Sequence, residues 1–163
     1  MMPMPCELEQ YSNTITAPFL ALNEYLDYIL ETVYNYAQES HTGGRTLIFS
    51  SSNPQVCTAL NWKQPNYGVF FKTFAGYSKF KEFDKRCNSI KEAIKFCKVS
   101  NLLGIFCLAK PLVQVFDLIK TIKESGLILA SFGDENEIAK NVDRQENSGL
   151  DAVIHGNLFR YLK

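Results

Sequence analysis

Five short apolar runs recur along the chain, and each is accompanied by a longer segment whose apolar residues have helical spacing. Within each run the apolar character is nearly continuous, and the run is too short for a helix. This pattern is typical of a β-strand that is covered on both faces. The five predicted strands occupy residues 46–52, 68–73, 102–109, 127–133 and 152–156.

Helices are predicted between these strands and before the first one. Apolar residues recur there at spacings of three or four, as Tyr25, Ile29 and Val33 do in the first helix, and such spacing lines one side of a helix. The predicted helices span residues 23–38, 51–64, 88–100, 110–126 and 134–149.

Several of the predicted helices carry capping residues at their ends. Asn53 is the candidate N-cap of the second helix, and Asn88 or Ser89 opens the third. Gly126 and Gly149 are the expected stops of the last two helices, because glycine readily adopts the left-handed conformation that closes a helix.

Strands that alternate with helices of this length predict an α/β protein with a mainly parallel sheet. Two architectures remain open from this rhythm alone: a doubly wound sheet of five strands, or part of an eight-stranded barrel. The long first helix and the proline-rich segment before it favour the barrel, as if further strands preceded them. The connection over residues 73–87 is long and follows a strand, at the end where α/β proteins bind ligands.

Composition restricts the class of protein. The chain has 163 residues, of which 46% are hydrophobic and 21% charged, so we expect one globular domain over residues 1–163. Lysine plus arginine and aspartate plus glutamate both number 17, and this balance argues against a nucleic-acid partner.

The cysteines and the apolar runs bear on location. The five cysteines form no C-x-x-C pair, which indicates no zinc site and favours a reducing compartment. The amino terminus lacks the pattern of a signal peptide, and no apolar run approaches the ~18 residues that span a bilayer. We therefore expect a cytoplasmic protein with no transmembrane segment.

Two polar features at predicted strand ends are candidate binding groups. Ser50 to Ser52 lie at the end of the first strand and could bind a phosphate, or they could satisfy the turn and cap the next helix. Lys72 lies near the end of an otherwise apolar strand, where it could pair with a phosphate or act as a charge that protects a sheet edge.

Acidic residues and a histidine at strand ends also have two interpretations. Asp134, Glu135 and Glu137 could hold calcium or magnesium, but carboxylates are also favourable at a helix amino terminus. His155, at the end of the last strand, could be a general base or a metal ligand. It could also be an incidental polar residue, because a general base needs a partner within reach. The other histidine, His41, lies in a loop at the opposite end of a βα unit.

Several segments in order resemble the glycerophosphodiester phosphodiesterase family, and fungal domains of that family most of all. The segments are "RTLIFSSSNPQVCTALNWKQPNYGVFFKT" at 45–73, "NLLGIFCLAKPLVQ" at 101–114 and "GLDAVIHGN" at 149–157. The resemblance implies a TIM barrel in which the five runs are strands four to eight. It also implies a role in glycerophospholipid or glycerophosphocholine metabolism, with magnesium or calcium as the cofactor of complete members.

The catalytic motifs of the family have no counterpart in the chain. Those motifs are a His-Arg-Gly, a Glu-x-Asp with a second histidine and a Glu-x-Lys on strands one to three, and Glu7 and Glu9 fall after the expected glutamate. We therefore assign no catalytic residue, no metal ligand and no cofactor to this chain. Ser51, Lys72 and His155 remain as candidate substrate-binding residues; Lys72 stands where the family has an apolar residue and His155 where it has an aspartate.

Three interpretations of function follow. The chain is a truncated, catalytically incompetent domain, or the carboxyl-terminal part of a diesterase completed by another segment, or a regulatory module of phosphate signalling. Five strands cannot close a barrel, so we expect a protein partner or self-association to cover the open sheet edges.

Overall fold

A computed structural model describes residues 21–39, 47–77 and 84–156. The candidates Glu7, Glu9 and His41 lie outside the described residues, as does the proline-rich segment. The chain divides into two compact units, residues 1–46 and 47–163. In the first unit, helix α1 (Leu22–Glu39) confirms the first predicted helix. Leu26 and Leu30 are buried on it.

The second unit contains five strands and five α-helices within the described residues. The strands are β1 (Ile48–Ser51), β2 (Gly68–Thr73), β3 (Gly104–Leu108), β4 (Ile128–Phe132) and β5 (Ala152–Ile154). The helices are α2 (Pro54–Lys63), α3 (Ile90–Val99), α4 (Ala109–Gln114), α5 (Asp117–Glu124) and α6 (Ala139–Asn147), and a 3₁₀ turn spans Asp134–Glu137. Each predicted run is thus a strand.

The order of the strands decides between the two architectures. All neighbouring pairs are parallel, and the spatial order is β1-β2-β3-β4-β5, the same as the order along the chain. A doubly wound sheet reverses its strand order at a switch point, whereas a barrel adds each strand beside the previous one. The partial barrel is therefore confirmed, and the doubly wound alternative is wrong.

The two faces of the sheet differ in what covers them. Alternate residues, such as Val69, Phe71 and Leu129, are almost fully buried on the helix-covered face. There the ring of Phe71 meets the ring of Phe96 from α3 edge to face, with 4.9 Å between centroids. The residues between them point to the opposite face, which corresponds to the inside of a barrel.

Aromatic side chains form the centre of this inner face. Phe70 of β2 and Phe106 of β3 are buried, and their ring centroids are 4.6 Å apart. Ala130 of β4 belongs to the same cluster, and Phe132 packs against it. The inner face is therefore held together across three adjacent strands.

Two predicted helices are each interrupted. The segment 110–126 is two helices, because the N–H of Val115 closes α4 on the carbonyl of Pro111 and the N–H of Leu118 starts a new turn on the carbonyl of Val115. Leu112 of α4 is thereby buried separately from Ile119 of α5. The apolar periodicity of the sequence continues through this break, so it predicts one helix where the structure has two.

The segment 134–149 is also divided, into the 3₁₀ turn and α6. The predicted ends are nevertheless confirmed: Asn53 Oδ1 accepts from the N–H of Gln55 and Ser89 Oγ from that of Glu92. Gly126 and Gly149 have positive φ angles of 82° and 95° just after their helices.

Gly104 allows the closest approach between strands, and this generates a stability prediction. A Cβ atom at Gly104 would lie 2.1 Å from the carbonyl oxygen of Ile128 and 2.7 Å from the ring of Phe70. We expect Gly104→Ala to lower the free energy of unfolding by about 2–3 kcal/mol, because backbone must move. Urea denaturation measures this change.

The matched control is Gly156→Ala, since among the described residues its Cβ would meet only Glu137 Oε1 at 3.6 Å, an ordinary contact. We expect that variant to stay within about 0.5 kcal/mol of the parent. Equal denaturation midpoints for the two variants would contradict the proposed close approach.

Candidate functional site

A cavity of about 390 Å³ lies at the carboxyl ends of β2, β3 and β4. Phe74, Leu108 and Phe132 line it from the ends of these strands. The remaining wall comes from the segments that follow them, with Tyr77, Lys110, Gly133, Asp134 and Glu135. Barrel enzymes place their active sites at this end of the sheet, so the cavity is the candidate functional site.

Lys72 approaches this cavity from the inner face. In the sheet register Lys72 is paired with Phe106, so both side chains lie on the inner face. The Lys72 Nζ atom is 4.6 Å from the ring centroid of Phe132 and 5.7 Å from that of Phe74. The side chain therefore reaches from β2 over β3 to the end of β4, and its ammonium lies against two of the residues that line the cavity.

This position tests one interpretation of Lys72. β2 is hydrogen-bonded to β1 on one side and to β3 on the other, and Lys72 lies within the paired part of the strand. The idea that Lys72 protects a sheet edge is therefore wrong. Its charge faces the inside of the barrel wall.

An ion pair forms part of the cavity wall. Lys110 Nζ donates to Glu135 Oε1 at 2.5 Å, and Asn141 Nδ2 donates to Glu135 Oε2 at 2.9 Å. The hydrogen bond to Glu135 raises the pKa of the Lys110 ammonium, and the negative charge of Glu135 adds to the effect. Glu135 is thus compensated by protein groups.

A buried amide fixes the ends of the last two strands. Asn136, which is fully buried, donates from Nδ2 to the carbonyl of Ser131 and to the carbonyl of Ile154, both at 3.1 Å. Its Oδ1 accepts from Gln145 Nε2 of α6 at 3.1 Å. One side chain therefore links β4, β5 and α6, which explains why the chain turns at this point instead of continuing one long helix.

The three sequence candidates lie at the same end of the sheet but are not gathered into one site. Ser51 ends β1, and its Oγ accepts the N–H of Asn53 at 3.0 Å, as the turn interpretation expected. Ser51 is paired with Phe71, so it faces the helix side while Lys72 faces inward. His155 directly follows β5 and is half-buried.

Sequence reasoning missed the residues that line the cavity. Phe74, Lys110 and Phe132 were not singled out, because an aromatic or a lysine near a strand is common in any α/β protein. Their common signal is position, since each lies at or just after the end of a predicted strand. Sequence alone did not show which of them share a wall.

The described carboxylates of this rim do not fit a divalent cation. Glu135 is paired with Lys110 and Asn141, and Glu137 Oε1 accepts the N–H of Gly156 at 3.1 Å. Across residues 21–39, 47–77 and 84–156, no three histidine, cysteine, aspartate or glutamate side chains are grouped so that they could hold a metal.

The described cysteines are buried rather than presented to the cavity. Cys57, Cys87, Cys97 and Cys107 are free thiols with at most 1% of their surface exposed. Burial raises the pKa of Cys57 and of Cys97 to about 12 and raises that of Cys107 as well. A thiol in such surroundings stays protonated, so none of these three is an activated nucleophile.

Parallel strands whose spatial order follows their order in the chain, with a cavity at their carboxyl ends, define a protein of the TIM-barrel type. The model of the glycerophosphoryl diester phosphodiesterase family matches residues 2–157, and the chain belongs to this family. The glycerophosphodiester phosphodiesterase of Parabacteroides distasonis has a similar fold, with a TM-score of 0.53 at 17% identity over 83% of this chain and 49% of that one.

Two curated relatives are more similar in sequence. The glycerophosphocholine phosphodiesterase GDE1 of Candida albicans is 37% identical over 82% of this chain and 11% of its own length. The glycerophosphodiester phosphodiesterase GDPD3 of Arabidopsis thaliana is 37% identical over 82% of this chain and 34% of its own length. The chain thus spans about a third or less of these relatives.

The buried amide generates a prediction for the rim. We expect Asn136→Ala to lower the free energy of unfolding by about 3 kcal/mol, because it leaves several buried polar partners unsatisfied. Asn147→Ala on the exposed end of α6 is the control and should change stability by less than about 0.5 kcal/mol. Urea denaturation of both variants measures the change. Similar losses of unfolding free energy in the two variants would show that the hydrogen bonds of Asn136 do not stabilise the fold.

The thiols generate a prediction for pH. An unfolded cysteine loses its proton near its ordinary pKa of 9.0, whereas Cys97 in the folded chain keeps its proton until about pH 12. The stability from Cys97 is therefore complete below pH 9 and is lost as the pH rises toward 12. We expect the difference in unfolding free energy between the parent and Cys97→Ala to shrink by about 1–1.5 kcal/mol between pH 8 and pH 10.

Chemical denaturation at the two pH values measures this difference, and the comparison with the variant cancels the titration of tyrosines and lysines elsewhere. A difference that does not change with pH would mean that Cys97 ionises as easily in the folded chain as in the unfolded one.

Proposed function

We propose that this chain supplies the carboxyl-terminal half of a glycerophosphodiester phosphodiesterase barrel and does not hydrolyse diesters by itself. Residues 1–163 would then be one domain, the carboxyl-terminal portion of the barrel, although they divide into two compact units. Strands β1 to β5 would be strands four to eight of the complete barrel. The cavity at their carboxyl ends would be one part of the substrate site.

The observation that carries this proposal is the partial exposure of apolar side chains on the inner face of the sheet. Ile48 of β1, Ile128 of β4 and Ile154 of β5 point inward, and their exposed fractions are 50%, 38% and 39%. In a closed barrel, layers of side chains from all eight strands fill this space. Further strands would cover these isoleucines and pair with β1 and β5.

The chemistry of the family agrees with a missing half. Metal-assisted cleavage of a phosphodiester needs carboxylates to hold the cation and an acid and a base near the phosphorus. The chain has no His-Arg-Gly motif. Of the described rim carboxylates, Glu135 is engaged by Lys110 and Asn141, and Glu137 by the N–H of Gly156. The exposed Asp134 is then a single carboxylate at this rim. The magnesium or calcium of a complete member would therefore be held by the other half.

The proposal also includes a location and a partner. No helix among the described residues is long and apolar enough to cross a membrane. Four buried free thiols support a reducing compartment, and we place the protein in the cytoplasm. The partner is the segment or chain that carries strands one to three, and we expect no nucleic-acid partner.

Complementation tests the proposal. We expect the purified chain to give no turnover of glycerophosphocholine with magnesium or calcium. Co-refolding it with the segment of the Candida albicans relative that precedes the matched region should restore metal-dependent turnover, because that segment would bring the catalytic carboxylates. The assay measures release of choline or glycerophosphate.

The control uses the same added segment with its Glu-x-Asp pair changed to Ala-x-Ala, which should refold but remain inactive. Metal-dependent turnover by the chain alone would overturn the proposal. So would a stable complex of the two halves that gives no activity above the control.

A further inference from the structure

Lys72 carries a charge on the inner face that no described acidic residue neutralises. Among the residues described, its ammonium is in contact with the rings of Phe132 and Phe74 and forms no ion pair. Aromatic faces attract a cation but leave its N–H donors without acceptors. Lys72 therefore has a positive charge and hydrogen-bonding capacity still available to another group.

The position of the ammonium is constrained by the sheet. Strands lie about 4.8 Å apart, so Lys72 of β2 and the ring of Phe132 of β4 meet above the intervening strand β3. The two rings stand edge to face, with their centroids 6.0 Å apart, and they hold the amine at the carboxyl end of the sheet. Lys72 is half-buried there, so less of its charge is dispersed into water than at an open surface.

The cavity begins at the same two rings. Phe74 and Phe132 are both contacts of Lys72 and lining residues of the space of about 390 Å³. Of the other charged groups on its wall, Glu135 is compensated by Lys110. Asp134 is exposed, where water and salt screen its charge. Apart from the Lys110–Glu135 pair, the half-buried charge beside the cavity is the ammonium of Lys72, and Asp134 is the exposed one.

We propose that Lys72 binds the phosphoryl oxygens of a small phosphate ester whose organic part occupies the cavity between Phe74 and Tyr77. Lysine binds phosphate as a point charge, and its three N–H donors are enough for two oxygens besides the contact with a ring. This deepens the proposed function, on which it rests for the placing of the ligand at the rim. It requires no metal and no catalysis, so the chain alone should bind.

Titration calorimetry of the full chain, without metal, tests the site with three probes: glycerol 3-phosphate, glycerophosphocholine and choline. We expect both phosphate esters to bind and choline not to bind. Lys72→Met should weaken binding of the esters by about ten-fold or more, the loss typical of a hydrogen bond to a charged group. Lys72→Arg should retain most of the affinity for the two esters.

The matched control is Lys95→Met, since Lys95 lies exposed on α3 of the helix layer and not on the inner face. This variant should bind the esters as the parent does. Equal weakening in the two variants would show that only the net charge matters and would overturn the proposal. Binding of choline that survives Lys72→Met would overturn it too, since the rings would then form a site for an organic cation.

A second measurement covers the case in which Lys72→Met does not fold. In the parent chain the ε-methylene protons of Lys72 should show an upfield ring-current shift from Phe132, and glycerol 3-phosphate should change that resonance selectively. If the Lys72 resonance does not move while the ester binds, the ester binds elsewhere and the inference is wrong. The proposed function fails on a different observation, turnover by the lone chain or an inactive complex of the two halves.

Discussion

The close approach of three strands at Gly104 is the constraint on which the rest of the barrel wall depends. Gly104 has no side chain, so the ring of Phe70 and the backbone of Ile128 can both occupy the space beside it. That packing brings Phe70 against Phe106 and sets the inner face across β2, β3 and β4. This register also places the cavity residues Phe74, Leu108 and Phe132, each of which lies four positions further along the chain than Phe70, Gly104 and Ile128.

The rim combines rigid support with an open ligand space. Asn136 ties the end of β4 to the end of β5 and to α6, so the segment after Phe132 leaves the sheet in a fixed direction. Lys110 and Glu135 form the side of the cavity, and their charges compensate each other. Lys72 is left as the inward-facing cation of the described rim, and its place is set by aromatic rings.

In the proposed function, the chain is one part of a larger barrel. The chain belongs to the glycerophosphoryl diester phosphodiesterase family. Its fold matches 49% of the length of the Parabacteroides distasonis protein. A barrel wall can keep its register and its helices with only five strands, because each strand pairs mainly with its neighbours. The chemistry proposed for the complete barrel could not be divided in the same way, because metal ligands and acid–base groups would have to meet at one phosphorus atom.

The sequence by itself determined the strands, most helix ends and the family. Continuous apolar runs mark covered strands, and Asn53, Ser89, Gly126 and Gly149 act within a few residues of their own positions, so local chemistry was sufficient. Only the tertiary structure decided the breaks at Val115 and Ile138, the cavity and the position of the Lys72 ammonium. These depend on contacts between residues distant in the chain, such as Lys72 with Phe132 or Asn136 with Ile154, which periodicity does not encode.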